Sequence, residues 1–231
     1  MNAAGDDLEY SSNLTFDGTN LDLGGVNTGL AFQGTRMFYA TTTLDNIAIG
    51  EGAMQFMVDN GNFGDNGNIA LGFDAGQNAS STGLFGNAGN NFIGSVAGQN
   101  NTGSDNNIFG SFAGQNNTGS VNNIIGAVAG ENNAGDFNNI FGSSAGLNNT
   151  GSNNNIFGAA AGQNNTGSYS EFIGFETAYR MSASNTVAIG RESLRGGTGF
   201  GGNNATTTNN VAIGAFAGYN VATGGDNNIL L

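Results

Sequence analysis

Apolar residues occur in this chain as bursts of two or three, each preceded by asparagine and closed by glycine: NNIFG at 106–110, NNIIG at 122–126, and NNIFG at 138–142 and 154–158. Polar steps of the type AG, QNN and TGS separate the bursts. The closing residues Gly94, Gly110, Gly126, Gly142, Gly158, Gly174 and Gly190 are sixteen residues apart at every step. The same signature returns as NIAIG ending at Gly50, NIALG at Gly72 and NNVAIG at Gly214, while NNILL at the end lacks only its glycine. Spacings of 22 (50 to 72), 22 (72 to 94) and 24 (190 to 214) place 6, 6 and 8 extra residues on the same scaffold. A fixed short period of this kind is the signature of a solenoid.

Repeated Gly, Asn, Ser and Thr exclude helix. Short strands and turns remain, so one repeat predicts one coil of about 16 residues in an all-β, parallel stack. About ten coils at roughly 4.8 Å each make a rod on the order of 48 Å long. Asparagines at one phase of successive coils can form side-chain ladders. The pattern divides the chain into a strand and hairpin lead-in over 1–44 and the repeats over 45–231, with insertions expected at 51–67, 73–90 and 191–209. In the lead-in, Leu14 and Phe16 precede a turn at Asp17-Gly18, and Leu21 and Leu23 alternate after it. The structural repeat is carried by Ile108, Phe109 and Gly110, by Ile124, Ile125 and Gly126, by Ile140, Phe141 and Gly142, and by Ile156, Phe157 and Gly158.

Neighbouring strand residues point to opposite faces, yet both members of each pair are apolar, so both faces require burial. One member fills the coil and the other meets a neighbouring chain. Which is which stays open, because NNIFG is one residue shorter than NNVAIG and a one-residue slip exchanges the faces. A charge at Ile124 is expected to damage the fold, and the same change at Asn117 to do much less.

Composition narrows the chemistry. The 231 residues include 42 Gly and 40 Asn but no Pro, Cys, His, Trp or Lys, and the four cations are Arg36, Arg180, Arg191 and Arg195. Without His, Cys or Lys there is no Ser-His or Cys-His nucleophile, no ordinary zinc site, no disulfide and no Schiff base. The reading is therefore non-enzymatic, with no cofactor and no metal. A formal charge of -13 excludes nucleic acid as a partner. No apolar run reaches the ~18 residues of a membrane span, so direct membrane insertion is not expected. The first residues lack a secretory signal.

The phrases NNVAIG, NTVAIG and DNIAIG, with the tandem NNIFG…AGQNNTGS, resemble the head repeats of trimeric autotransporter adhesins and of phage-tail-fibre-like proteins. The resemblance covers about 45–231. It implies left-handed parallel β-rolls packed as a homotrimer, on an extracellular fibre of a cell surface or virion, serving as an adhesin for cell-surface glycan or another envelope receptor. Fibres of the tail group often end in a self-removing chaperone, and no such segment is present here, which suggests a fragment or processed product.

Function is expected where the repeat breaks. The first break, 51–67, places Met54, Phe56, Met57 and Phe63 in a polar connection; covering the rod's end is an equal use for them. The second, 169–182, replaces a QNN turn by Tyr179, Arg180 and Met181 beside Phe175 and Glu176, which suits sugar recognition. The third, 191–209, carries Arg191, Arg195 and Phe200 on a Gly-rich loop. The expected ligand-binding set is Phe175, Glu176, Tyr179, Arg180, Arg191, Arg195 and Phe200. Other readings are a structural spacer, an ice-binding row (Thr102, Thr118, Thr150, Thr166, interrupted at Ala134), and a polysaccharide depolymerase using Glu171 and Glu176. Asp105 and Asp136 are too sporadic for a calcium array, and the sequons at Asn100, Asn116, Asn148 and Asn164 are by-products of the repeat.

Overall fold

The computed structural model describes residues 14–16, 21–23, 29–32, 35–40, 46–55, 67–79, 89–196, 205–219 and 226–231. Every regular element among them is a strand. Leu14–Phe16 and Leu21–Leu23 pair antiparallel as a hairpin, with Leu14 opposite Leu23. A thirteen-stranded sheet then starts with Gly29–Phe32 and Thr35–Ala40, both antiparallel, and continues from Ile47–Ile49 to Ile229–Leu230 as parallel strands.

Each coil supplies one short strand to this sheet, and Ile108, Ile124, Ile140 and Ile156 pair in sequence across four of them. Partners sixteen residues apart fix the coil length, so the molecule is a β-solenoid. The feared slip does not occur: Phe172 pairs with Ala188 and Ile173 with Ile189. All strands share one register counted back from their glycine, and the extra asparagine of NNVAIG falls before the strand. The closing glycine is obligatory. Gly126 has φ +137°, and a Cβ there would lie 2.6 Å from the Gly142 carbonyl oxygen, so successive coils stack backbone on backbone.

The middle strand residue faces inward, and Ile108, Ile124, Ile140 and Ile156 are fully buried. Burying such a side chain contributes about 1.5–3 kcal/mol. Across the coil lies Gly114, where a Cβ would sit 2.6 Å from Ile108 Cδ1. In two of the four coils whose strand residue is alanine, those of Ala48 and Ala188, the position equivalent to Gly114 is Met54 and Leu194, both buried, whereas beside Ala70 and Ala212 it stays glycine, at Gly76 and Gly218. At those two coils large and small exchange sides, and beside Gly76 the Phe92 ring of the next coil takes up the space. Met54 is a core residue, whereas Phe56, Met57 and Phe63 lie outside the described residues.

Two asparagines in each of the middle coils are also buried. The Asn122 N–H donates to Asn106 Oδ1 at 2.9 Å and the Asn138 N–H to Asn122 Oδ1 at 2.8 Å. In the second column, Asn117 Nδ2 donates to Asn101 Oδ1 at 2.7 Å, and Asn133 Nδ2 to Asn117 Oδ1 at 2.8 Å. Asn117 is fully buried, which corrects the expectation that it tolerates a charge. Its neighbour Asn116 is the exposed one.

The turn after the strand alternates handedness. Phe112, Asn116 and Val121 have φ near +57° to +59°, and their N–H groups donate to Ser95, Gln99 and Ser104 carbonyls of the preceding coil at 2.8–2.9 Å. Residues 191–196 keep this coil register, since the Gly196 N–H donates to the Tyr179 carbonyl at 2.9 Å. Ala205 pairs with Met181. The eight extra residues of the 191–209 segment are therefore 197–204.

Candidate functional site: an apolar row and an arginine–aromatic ribbon

Two outward features depart from the polar background. The first is the residue before each strand glycine. Ile93, Ile125, Phe157, Ile173 and Ile213 are 37–44% exposed in the chain. Phe109, Phe141 and Ile189 continue the same row half-buried, and the rings of Phe141 and Phe157 stack with centroids 5.0 Å apart. The flanking strand position is asparagine through the middle coils, with Asn107 donating to Asn123 and Asn123 to Asn139 at 2.8–2.9 Å. It turns apolar toward the ends, at Ile47, Ile69, Val187, Val211 and Ile229.

The second feature arises because coil stacking turns sequence phase into adjacency. The fifth residue after the strand glycine is glutamine in several coils, and Gln115 donates to Gln99 at 2.7 Å. In the last coils this column reads Tyr179, Arg195, Tyr219. The second residue after the glycine reads Glu176, Glu192, Phe216 beside it. Arg195 Nη1 donates to Glu192 Oε2 at 2.8 Å, and its Nε lies 3.1 Å from Glu176 Oε2 as an ion pair without hydrogen-bond geometry. Its guanidinium carbon is 5.4 Å from the Tyr179 ring centroid and 5.8 Å from that of Tyr219. Partial burial opposes its charge, but the Glu192 hydrogen bond and the field of Glu176 outweigh that and raise its pKa.

The contacts extend at both ends. Arg180 lies 5.3 Å from the Tyr179 ring, Phe216 packs edge-on against Tyr219 at 5.7 Å, and Arg191 lies 4.8 Å from the Phe216 ring. Arg180, Tyr179, Arg195, Tyr219, Phe216 and Arg191 thus form one continuous ribbon of cation–ring and ring–ring contacts. Such contacts contribute about 0.5–1 kcal/mol each at exposed sites.

The second and third sequence breaks therefore converge. Glu176, Tyr179, Arg180, Arg191 and Arg195 come together; Phe175 is exposed one position from Glu176 but joins no ring or cation contact among the described residues. Phe200 lies outside the described residues. Sequence reading missed Glu192, Phe216 and Tyr219. The signal was the phase counted from each strand glycine, which aligns Glu192 with Glu176 and Tyr219 with Arg195. Glu171 sits instead on the strand face, where it accepts from Asn155 Nδ2 at 2.6 Å, so the two glutamates envisaged for hydrolysis are engaged in separate columns. In the threonine row, Thr118, Ala134, Thr150 and Thr166 are exposed and Thr102 is half-buried, and the Thr166 and Ser182 hydroxyls share a hydrogen bond.

Among the described residues no helix is long and apolar enough to cross a membrane, and no group of three His, Cys, Asp or Glu comes together. No family model, curated protein or solved structure matches the chain.

Proposed function

We propose that this chain is a non-enzymatic section of an attachment fibre: three copies pack as left-handed rolls around an axis through their strand faces, and the outer walls present a receptor-binding surface to cell-surface glycan. The observation that carries this reading is the outward apolar row. An isolated chain leaves a column of Ile and Phe in water from coil to coil, and rows of that kind mark association surfaces. A rigid rod also suits attachment, because three copies of a weak site raise avidity without any strong single contact.

Light scattering of the intact chain tests the assembly. The expected result is three times the 23.2 kDa chain mass, falling to monomer in the double variant Ile125→Asp, Phe157→Asp with the circular-dichroism spectrum unchanged. A folded wild-type monomer at micromolar concentration refutes the reading.

A further inference from the structure

We propose that the arginine–aromatic ribbon is a binding site for carboxylate-bearing polysaccharide, with Arg180 and Arg191 as the contacting cations, each set against a ring of the ribbon. This rests on the attachment reading above and names the class of its ligand. The chain is strongly acidic, yet three of its four arginines share one ribbon. Three guanidiniums against Glu176 and Glu192 leave it one positive charge on a molecule of net -13.

The three cations are not equivalent. Arg195 is spent internally, held by both carboxylates and lying against two tyrosine rings. Arg180 is exposed and has no ion pair among the described residues; its neighbour in the ribbon is the Tyr179 ring. The Arg191 side chain is 61% exposed, with Nε on Glu192 Oε1 at 3.1 Å and no described residue bonded to its terminal amino groups. Contact with a ring uses none of the guanidinium N–H groups as hydrogen-bond donors to protein acceptors, and those groups are the part that grips a planar carboxylate through two parallel bonds. Because Tyr179 and Phe216 hold these side chains in place, less rotamer freedom is lost on binding. A polyuronate offers carboxylates at regular intervals, so one chain can engage both arginines.

The chain's own charge sharpens the test. At 0.15 M salt the screening length is about 8 Å, so distant acids neither assist nor mask a local contact, and a -13 molecule has no general affinity for polyanions. Calorimetry at that salt should show binding to polygalacturonate. Full methyl esterification of the polymer, which keeps the backbone and removes the charge, should weaken binding at least about tenfold, as should the double variant Arg180→Ser, Arg191→Ser at unchanged melting temperature and mass. Asn116→Ser, on the exposed amide ladder, should bind like wild type. No binding by wild type, equal binding of the ester, full binding by the double variant, or tighter binding of polyphosphate than of polygalacturonate each overturns the proposal. A trimer that ignores polygalacturonate refutes the ligand and leaves the fibre; a monomer that binds it refutes the fibre and leaves the ligand.

Discussion

Asn116 and Asn117 are adjacent, chemically identical and opposite in exposure, so replacing each by Asp isolates what the buried ladder contributes. Both changes add the same charge to the chain and nearly conserve volume. At Asn117 the side-chain nitrogen donates to Asn101 Oδ1 and to the Gly119 carbonyl, both at 2.7 Å. A carboxylate oxygen in its place faces two acceptors at hydrogen-bond distance with no donor between them, in a site with no solvent access. An uncompensated buried charge costs about 3–5 kcal/mol. At a conversion of roughly 2–4 °C per kcal/mol for a chain of this size, Asn117→Asp should melt about 6–20 °C below wild type. Asn116 donates to Asn132 Oδ1 at 3.0 Å in an exposed ladder. There water replaces the lost partner, and Asp tolerates the positive φ, so the cost should stay below about 1 kcal/mol. Thermal denaturation followed by circular dichroism measures both.

The pH dependence supplies an independent check. Burial raises the pKa of the introduced carboxyl above its ordinary value of about 3.9 in the folded state. The folded form then holds its proton more tightly than the unfolded chain. Destabilisation therefore grows as pH rises from about 4 through the folded pKa and fades below 4, whereas Asn116→Asp should show little such slope. Equal melting temperatures for the two variants at pH 7, or the larger loss at Asn116, would refute the assignment of the second asparagine column to the interior.

Interior complementarity predicts a rescue: Ile124→Ala alone should cost about 2–5 kcal/mol, and adding Gly130→Leu, which recreates the Ala188 and Leu194 pairing, should recover part of it in urea denaturation. Recovery is incomplete because Gly130 has φ +56°, where a side chain costs roughly 1–2 kcal/mol. At Val121, φ is +59° and the residue is 41% exposed, while the equivalent residues of two other coils are Asn153 and Asn185; Val121→Asn should raise the melting temperature by a few degrees, and a decrease would show that the valine's outward contacts outweigh its backbone strain.

The period made the coil legible in the sequence, because Ile108 and Ile124 can recur at one phase only if they stack. What the period could not decide was direction. NNIFG and NNVAIG look offset when aligned on their first asparagine and coincide when aligned on the glycine, the residue that the geometry constrains: its φ and the 2.6 Å approach to the next carbonyl admit no other side chain. Asn117 was misjudged for a related reason. Asparagine is normally a surface residue, and the polar QNN step carries no mark of burial, yet an amide such as Asn117 that both donates and accepts along the stack is buried with its groups paired. The ribbon was half legible. Departure from the repeat marked Tyr179, Arg180 and Arg191, but chain distance hid Phe216 and Tyr219, which reach the site only through an insertion of eight residues that leaves the coil phase intact.

A self-pairing column also explains why the ribbon sits where it does. Changing one asparagine in the middle of the stack orphans partners on both sides, so an interior departure has to spread over consecutive coils before it is satisfied again. It does so beneath the ribbon. Asn154 is followed by Ser170 and Thr186, Asn165 by Met181, and Gly167 by Ala183; the Ser170 hydroxyl donates to the Ala183 carbonyl at 2.9 Å and accepts the Thr186 N–H at 3.2 Å, so the chain of bonds remains closed through smaller groups. Over the same coils Met181–Ser184 pairs residue for residue with Ala205–Thr208, a second parallel ladder on this wall of the solenoid. The surface cations and rings therefore rest on coils whose interior and wall are rebuilt together, and the added ladder ties the backbone after Arg180 to the strand that follows the 197–204 insertion. A chance variation of surface residues would need none of this. Coordinated change of core, wall and surface over the same coils is the arrangement expected of a binding site held on rigid elements.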